Sequence, residues 1–539
     1  MSNKNNLAKN ASFLMIAAMI SKVIGLLYKS PLSSIMGSVG ISYMTLAQNA
    51  YMILLMIASF SIPQAVSKLI SERIELKDYK NAQKIFYGSL MYAAVVGGAV
   101  ALFCFFGADL IIPSNQSNAR LALQILAPTI FMSGIVGVLR GYFQAYRNMM
   151  PTSLSQILEQ IFNAIGSILA AWLLVKYFAD GTTESIGKWG AAGSTIGTTT
   201  GVVVALLFML LVYSLNRKKI RRRVERDRTH EEESYREIFK LIILIVSPII
   251  LSAFIYNVNL YLNGVLFNEI LGWRGVDDKV LSIAYAEYGT YFMTIINIPL
   301  TLSSAAPTSM IPEVSASYAT GNRKETRNRI DQTTQLSMFI SIPCAVGLAV
   351  LGHPVVSLLY RVTDGTAGKL MMIGSFVIIL NGISNISNAA LQAIGKPKIP
   401  MITAAIALVV DVAAVLGLLF FTDLGVYSLL VATVVYSVVI CVLNDMAMKK
   451  YLRYKNPWKK AYLYPLIASI PMGAVAGGVY YGLYHLIPSN FICLCAAIAL
   501  AVVVFLVVYL AVSKPTQKDL AALPAGNILY RVGRTLHLC

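Results

Sequence analysis

The sequence predicts an all-α integral membrane protein of about fourteen transmembrane helices, and composition, uncharged runs and the placement of basic residues predict it. Of 539 residues, 57% are hydrophobic and only 13% are charged, where an average soluble domain carries about 25% charged residues. Mean hydropathy is +0.67. No soluble fold covers that much apolar surface. Segments 91–106, 161–175, 191–215, 401–421 and 496–512 are almost free of charge, about the helix length that crosses roughly 30 Å of hydrocarbon.

Turn signals and charges place the spans at 10–36, 41–70, 86–112, 120–146, 151–178, 187–214, 238–267, 282–318, 332–360, 369–394, 398–421, 424–447, 461–485 and 489–513. The first follows Lys4 and Lys9 like a signal peptide. It has no small-residue cleavage site after Met19, and Ser21-Lys22 interrupts the apolar run, so it reads as a retained span. The second runs into the basic stretch Lys68 to Lys84, and the fourth ends at Arg140 and Arg147. Pro151 opens the fifth, and the sixth leads into Arg217 to Lys240, the longest polar segment, with Arg221-Arg222-Arg223 and Glu231-Glu232-Glu233. The eighth gives way to Arg323 to Arg329. Lys396 and Lys398 separate the tenth from the eleventh, and Lys449 to Lys460 separate the twelfth from the thirteenth. The tail from Lys514 carries Arg531 and Arg534 among leucines, a pattern suited to the membrane surface.

With these spans, 35 of the 44 Lys and Arg residues fall on one side. The other side holds Arg120, Lys176, Lys188, Arg274, Lys279, Arg361 and Lys369, and the first span keeps Lys22 and Lys29. Lys and Arg gather on the cytoplasmic side, so the split supports an even number of spans with both termini cytoplasmic. It also accounts for the net charge of +19 without nucleic acid as a partner.

The two halves resemble each other. Phe143-Gln144-Ala145-Tyr146, then Arg147 and Pro151, recurs as Leu391-Gln392-Ala393-Ile394, then Lys396 and Pro400. Ser61-Ile62-Pro63-Gln64 matches Met310-Ile311-Pro312-Glu313, each leading through a serine into a basic loop. The expected organisation is a six-helix lobe over 1–216, a basic cytoplasmic linker over 217–237, a second six-helix lobe over 238–450, two additional helices over 451–513 and a cytoplasmic tail over 514–539. In transporters built from parallel repeats the substrate path lies between the repeats.

Charged groups inside spans cost about 2.5–3.5 kcal/mol each on insertion scales and are functional candidates by default. Lys22 and Lys29, seven residues apart, share one helix face, and a cationic stripe suits an anionic cargo such as a diphosphate. Interface snorkelling is the competing role for either lysine. Arg140, at the end of the fourth span, divides between topology and cavity roles. Among acidic groups, Glu159 lies in the fifth span, Glu287 and Glu313 in the eighth and Asp411 in the eleventh. Asp411 with Asn385 and Asn388 offers oxygens to a proton or sodium ion, against the alternative of helix-to-helix hydrogen bonds. Asn257, Asn259 and Asn263 present the same alternatives. The six cysteines lie mostly in apolar spans without metal-ligand spacing. The four histidines are scattered, and no catalytic motif stands in a suitable context. The chain therefore reads as a transporter, not an enzyme, with no cofactor or metal.

The run Ile20-Ser21-Lys22-Val23-Ile24-Gly25-Leu26-Leu27-Tyr28-Lys29-Ser30-Pro31-Leu32 resembles the opening of the polysaccharide-exporter branch of the multidrug/oligosaccharidyl-lipid/polysaccharide superfamily. Within it the sequence is most similar to MurJ lipid II flippases and stage V sporulation protein B of Gram-positive bacteria. Segments 61–72, 140–160 and 391–400 carry the same likeness. The resemblance implies two six-helix lobes in a pseudo-symmetric V around a central cavity, and a groove for an isoprenoid tail beside two C-terminal helices. It implies a flippase that moves undecaprenyl-diphosphate-linked peptidoglycan precursor, lipid II, from the inner to the outer leaflet by alternating access. Where other members carry first-span arginines, this chain has Lys22 and Lys29; where they carry one in the second span, it has uncharged Asn49. Lysine keeps the charge and loses the planar bidentate grip.

The expected diphosphate-binding set is thus Lys22, Lys29, Arg140 and Asn49, and the expected coupling set is Asp411, Asn385, Asn388 and Glu159. Membrane potential, sodium or protons would drive the cycle. Membrane lipids and cell-wall synthesis enzymes are the expected neighbours of a monomer in the bacterial plasma membrane. Teichoic or capsular repeat units and spore cortex precursors share the isoprenoid diphosphate and remain alternatives, as does a drug/cation antiporter, for which a first-span carboxylate would be expected in place of Lys22. A non-transporting scaffold would leave Lys22 and Asp411 without purpose.

Overall fold

The computed structural model describes residues 21–513 except positions 22, 23, 26, 61, 147, 228–232 and 362–364. Most of the first predicted span, Lys22 within it, and the tail 514–539 lie outside the described residues. All regular structure among the described residues is helical. Ten helices are long and apolar enough to cross a membrane, or eleven if two helices bent by 45° at a short break form one span. The predicted number of fourteen is therefore not reached among the described residues, in part because its first span falls mainly outside them.

By contact the chain divides into two compact units, Met1–Ala286 and Glu287–Cys539. The first contains α1 (Lys29–Leu55), α2 (Ile62–Glu75), α3 (Tyr79–Phe106), α4 (Ala119–Ala145), α5 (Met150–Phe178), α6 (Thr183–Glu225), α7 (Tyr235–Trp273) and α8 (Asp278–Ala286). The second contains α9 (Met293–Ala319), α10 (Arg323–Tyr360), α11 (Gly365–Gly374), α12 (Val377–Ala393), α13 (Lys398–Phe421), α14 (Tyr427–Leu452), α15 (Tyr464–Leu486) and α16 (Asn490–Ser513). The linker 217–237 lies inside the first unit. The predicted lobe boundary there concerns sequence symmetry, which is a different property from contact.

Local chemistry sets the helix ends. The Asp78 side chain accepts from Asn81 N at the start of α3, and Thr182 accepts from Ser185 N at the start of α6. Ser234 and Glu237 form a reciprocal capping box at α7. Asn322 caps α10. Interior prolines, Pro128 in α4, Pro343 and Pro354 in α10 and Pro471 in α15, are tolerated because neighbouring helices satisfy the freed backbone groups. Gly37 interrupts α1 at φ 65°, ψ −179°, a region open essentially to glycine alone. No atom lies within 4 Å of a Cβ built there, so the backbone angle alone requires glycine.

In the first unit, α5 and α6 meet through small residues. A Cβ on Gly197 would stand 2.1 Å from Ser167 N, and one on Gly193 2.4 Å from Ala171 Cα. Such seams replace the hydrophobic drive that is missing between helices in lipid. At one end, Tyr261 Oη donates to Ile111 O at 2.6 Å, Asn115 Nδ2 to Asn268 O at 3.0 Å, and Ser282 Oγ to Gln116 Oε1 at 2.9 Å. These bonds hold α7 and α8 in the first unit. At the basic end, the linker is clasped to the α2–α3 turn. Asp227 Oδ2 accepts from Lys80 N at 2.7 Å, and Glu233 N donates to Asn81 Oδ1 at 2.9 Å. Glu233 also accepts from Lys84 Nζ through its carbonyl at 3.0 Å and pairs with Arg73.

In the second unit, α15 and α16 pack on each other and on α10. Phe339 of α10 lies 4.8 Å from the Tyr509 ring and 5.2 Å from the Phe505 ring of α16, centroid to centroid. Gly473 and Gly477 of α15 leave room for Val346 and Val350.

Candidate functional site

The interior of the first unit gathers the groups with the strongest chemistry. Arg140 projects from α4 towards α5. Its Nη2 donates to Glu159 Oε2 at 2.7 Å and its Nε to Ser155 Oγ at 2.9 Å. The two charged side chains are 15% and 24% exposed. Ser155 in turn gives its hydroxyl proton to Thr152 O at 2.7 Å, so a lone pair faces the guanidinium. Two residues expected to serve separate roles, cargo binding and coupling, are thus partners.

Ser21 and Gly25, described residues of the first predicted span, lie beside the same turns of α5. Ser21 Oγ donates to Gln156 O at 3.5 Å, and a Cβ on Gly25 would lie 3.7 Å from Gln160 Oε1. Lys29 opens α1 and is half-buried. Lys22 lies outside the described residues. Tyr28, between them in sequence and buried, hydrogen-bonds to Asn163 of α5; Asn163 Oδ1 also accepts from Ser167 and Thr198.

Asn49 stands apart from Arg140 in its bonding. Its Nδ2 donates to Tyr285 Oη of α8 at 2.9 Å. The tyrosine fits because position 264 is glycine: a Cβ there would lie 2.3 Å from Tyr285 Oη. Asn263, one residue earlier, is 1% exposed.

In the second unit Asn388, expected to join Asp411 and Asn385, is bonded to α14. Asn388 Oδ1 accepts from Asn444 Nδ2 of α14 at 2.7 Å, while Asn444 Oδ1 accepts from Thr403 Oγ1 of α13 at 2.9 Å. Asn444 also reaches Ser387 Oγ at 3.2 Å. Asp411 sits on α13, fully buried, eight residues beyond Thr403 and therefore about 12 Å further along the axis. Asn385 is half-buried on α12. Glu287 is 5% exposed, and Glu313 pairs with Arg329 at 3.2 Å. A cavity of about 40 Å³ adjoins the amide ladder, lined by Thr334, Ser387, Cys441, Asp445, Tyr454 and Tyr462 among others. That volume takes a water or two and no saccharide.

Sequence reasoning missed Ser155, Tyr285, Thr403 and Asn444. Hydroxyl and amide side chains in apolar runs carry no distinguishing signal until their partners are known.

Comparison with known proteins follows the same lines. A family model described as lipid II flippase MurJ matches residues 113–504. The chain is 25% identical over 424 residues to the lipid II flippase MurJ of Bacillus subtilis (strain 168), covering 75% of this chain and 76% of that protein. It is 21% identical over 452 residues to stage V sporulation protein B of the same organism, covering 83% and 85%. Among solved structures, lipid II flippase MurJ in an inward closed conformation matches with a TM-score of 0.64 at 17% identity, over 94% of this chain and 99% of that one. An outward-facing multidrug resistance MATE family transporter of the MOP superfamily matches with a TM-score of 0.59 at 16% identity, over 83% and 96%.

Proposed function

The chain belongs to the lipid II flippase MurJ family, and we propose that its cargo is undecaprenyl-diphosphate-linked peptidoglycan precursor, carried from the inner to the outer leaflet by alternating access. It is a multi-pass membrane protein and a lipid-linked oligosaccharide flippase by family. The family is one of transporters rather than catalysts. The observation that carries the reading is the match over 113–504, which takes in Arg140, Glu159, all of α15 and the first two-thirds of α16.

The bound headgroup meets Arg140, Lys29 and Lys22 in this reading, with Asn49 as an uncharged contact. The guanidinium supplies a planar fork and the lysines supply point charges. Asp411, buried in an apolar helix, is the group proposed to load a proton or sodium ion. Membrane potential contributes as well, since one charge crossing 100 mV corresponds to about 2.3 kcal/mol and a negative cytoplasm favours outward movement of an anion. The protein acts as a monomer in the bacterial plasma membrane with cytoplasmic termini, alongside cell-wall synthesis enzymes.

The test replaces the lipid II flippase of a bacterial cell with this chain and measures lipid II in the outer leaflet. Rescue is expected. Failure to rescue with normal membrane insertion overturns the peptidoglycan cargo. Resemblance to stage V sporulation protein B over 83% of the chain supports a second reading, the spore cortex precursor, which rescue of a sporulating strain lacking its own protein would detect.

A further inference from the structure

We propose that Glu159 is a resident counter-anion that occupies Arg140 between transport events and is displaced by the diphosphate of the cargo. The inference rests on the reading that Arg140 meets that diphosphate.

The geometry separates what orients Arg140 from what neutralises it. Ser155 Oγ accepts from Nε at 2.9 Å and is itself fixed by its bond to Thr152 O within α5. The guanidinium therefore keeps its direction when Glu159 leaves. Glu159 holds only one corner of the fork, Nη2 to Oε2 at 2.7 Å. A guanidinium has five N–H donors, and among the described residues this single contact and the Ser155 bond use two of them, which leaves three to meet an incoming anion. At 15% side-chain exposure, Arg140 without a counter-charge would bear a large desolvation cost. Glu159 removes that cost in the empty protein.

A diphosphate outcompetes the carboxylate because it brings more charge and more acceptor oxygens, and it grips the planar fork at two points. In the exchange the Nη2–Oε2 bond breaks, N–H···O–P bonds form, and the Glu159 carboxylate swings away from the fork, for which its 24% exposure leaves room. No proton need move. When the headgroup departs, Glu159 recaptures Arg140 and opposes rebinding. The carboxylate thus weakens cargo affinity and speeds release. A carrier needs both, because a cargo bound too tightly in its resting complex raises the barrier to the next step. Ser21 and Gly25 lie against Gln156 and Gln160 of α5, alongside the turns that carry Ser155 and Glu159, so exchange at Glu159 takes place beside them.

The test uses the full-length chain in lipid nanodiscs and four proteins: wild type, Glu159→Gln, Arg140→Gln and the double variant. Binding is measured for undecaprenyl diphosphate, inorganic diphosphate and undecaprenol, and flipping is measured in cells. Glu159→Gln keeps an acceptor for Nη2 and removes the charge. It is expected to tighten undecaprenyl diphosphate about tenfold, roughly one charge-assisted hydrogen bond, and to slow flipping. Arg140→Gln is expected to weaken binding about tenfold, with Glu159→Gln changing it less than about twofold in that background. Inorganic diphosphate should follow the same order, and undecaprenol should bind all four proteins alike.

Unchanged or weaker binding by Glu159→Gln, with Arg140→Gln still weakening it, overturns the proposal and leaves Glu159 a positioning residue. Equal tightening with and without Arg140 also overturns it, because Glu159 would then act through its field alone. Wild-type binding by Arg140→Gln instead overturns the underlying reading of Arg140. Should Glu159→Gln unfold on purification, Glu159→Asp gives the same comparison; its shorter carboxylate stretches the pair and should tighten binding by a smaller factor, and failure to do so counts against the proposal.

Discussion

In the first unit α5 and α6 close on each other at glycines, with Gly193 and Gly197 laid against the backbone of Ala171 and Ser167, and the side chains that cross this seam are short, Ser167 to Ser194 O and Thr198 to Asn163. In the second unit α12, α13 and α14 are joined by a run of side-chain hydrogen bonds, Thr403 to Asn444 to Asn388. Both arrangements answer the same problem, since lipid offers no hydrophobic drive for helix association. They fail differently. A backbone seam has no tolerance for volume, whereas a ladder of amides loses one bond at a time and retains the rest.

Gly197→Leu tests this difference most severely. The new side chain would enter the backbone of Ser167, and a loss of about 3 kcal/mol or of the folded protein is expected, read as the melting temperature and yield in detergent. Near-normal stability would mean that α5 and α6 can separate without cost. Asn444→Leu removes the hub of the ladder with little change in volume, and a cost of about 1.5 kcal/mol is expected. Should it match Gly197→Leu, the ladder is as indispensable as the seam and the contrast collapses.

Tyr285→Phe probes the first unit where it too relies on a side-chain bond, the one from Asn49. A loss of about 1 kcal/mol is expected, with hydrogen exchange rising in α8 before α5. Protection lost equally in both helices would argue against a local tether. Thr403→Val should have the smallest effect, about 0.6 kcal/mol, because Asn444 keeps Asn388 and Ser387. A larger loss would show that the ladder is cooperative.

Several of these pairings were legible in the sequence, though not to a search for motifs. In an antiparallel hairpin, residues equidistant from the turn meet. Arg140 and Glu159 flank the turn at 146–150, Ser167 and Gly197 flank that at 179–182, and Thr403 and Asn444 flank that at 422–426. Reflection about that last turn carries Asp411 to the level of Tyr436. Helical content and the two added helices followed from hydropathy. Asn49 and Tyr285 did not, because 236 residues separate them and no local symmetry relates them. The grouping of α7 and α8 with the first unit rests on similarly remote bonds, such as Tyr261 to Ile111. The six-and-six repeat in the sequence gives no hint of it.

The clasp on the linker also bears on how the chain is made. Arg73, Lys80, Asn81 and Lys84 are synthesised about 150 residues before Asp227 and Glu233, the groups they hold. At roughly 5–20 residues per second, the receiving surface waits about eight to thirty seconds for its ligand. A clasp of this kind ties the start of α7 to a surface made earlier, so charge reversal at Arg73 is expected to raise the share of misinserted newly made chains, measured by protease protection, more than it lowers the melting temperature of finished ones.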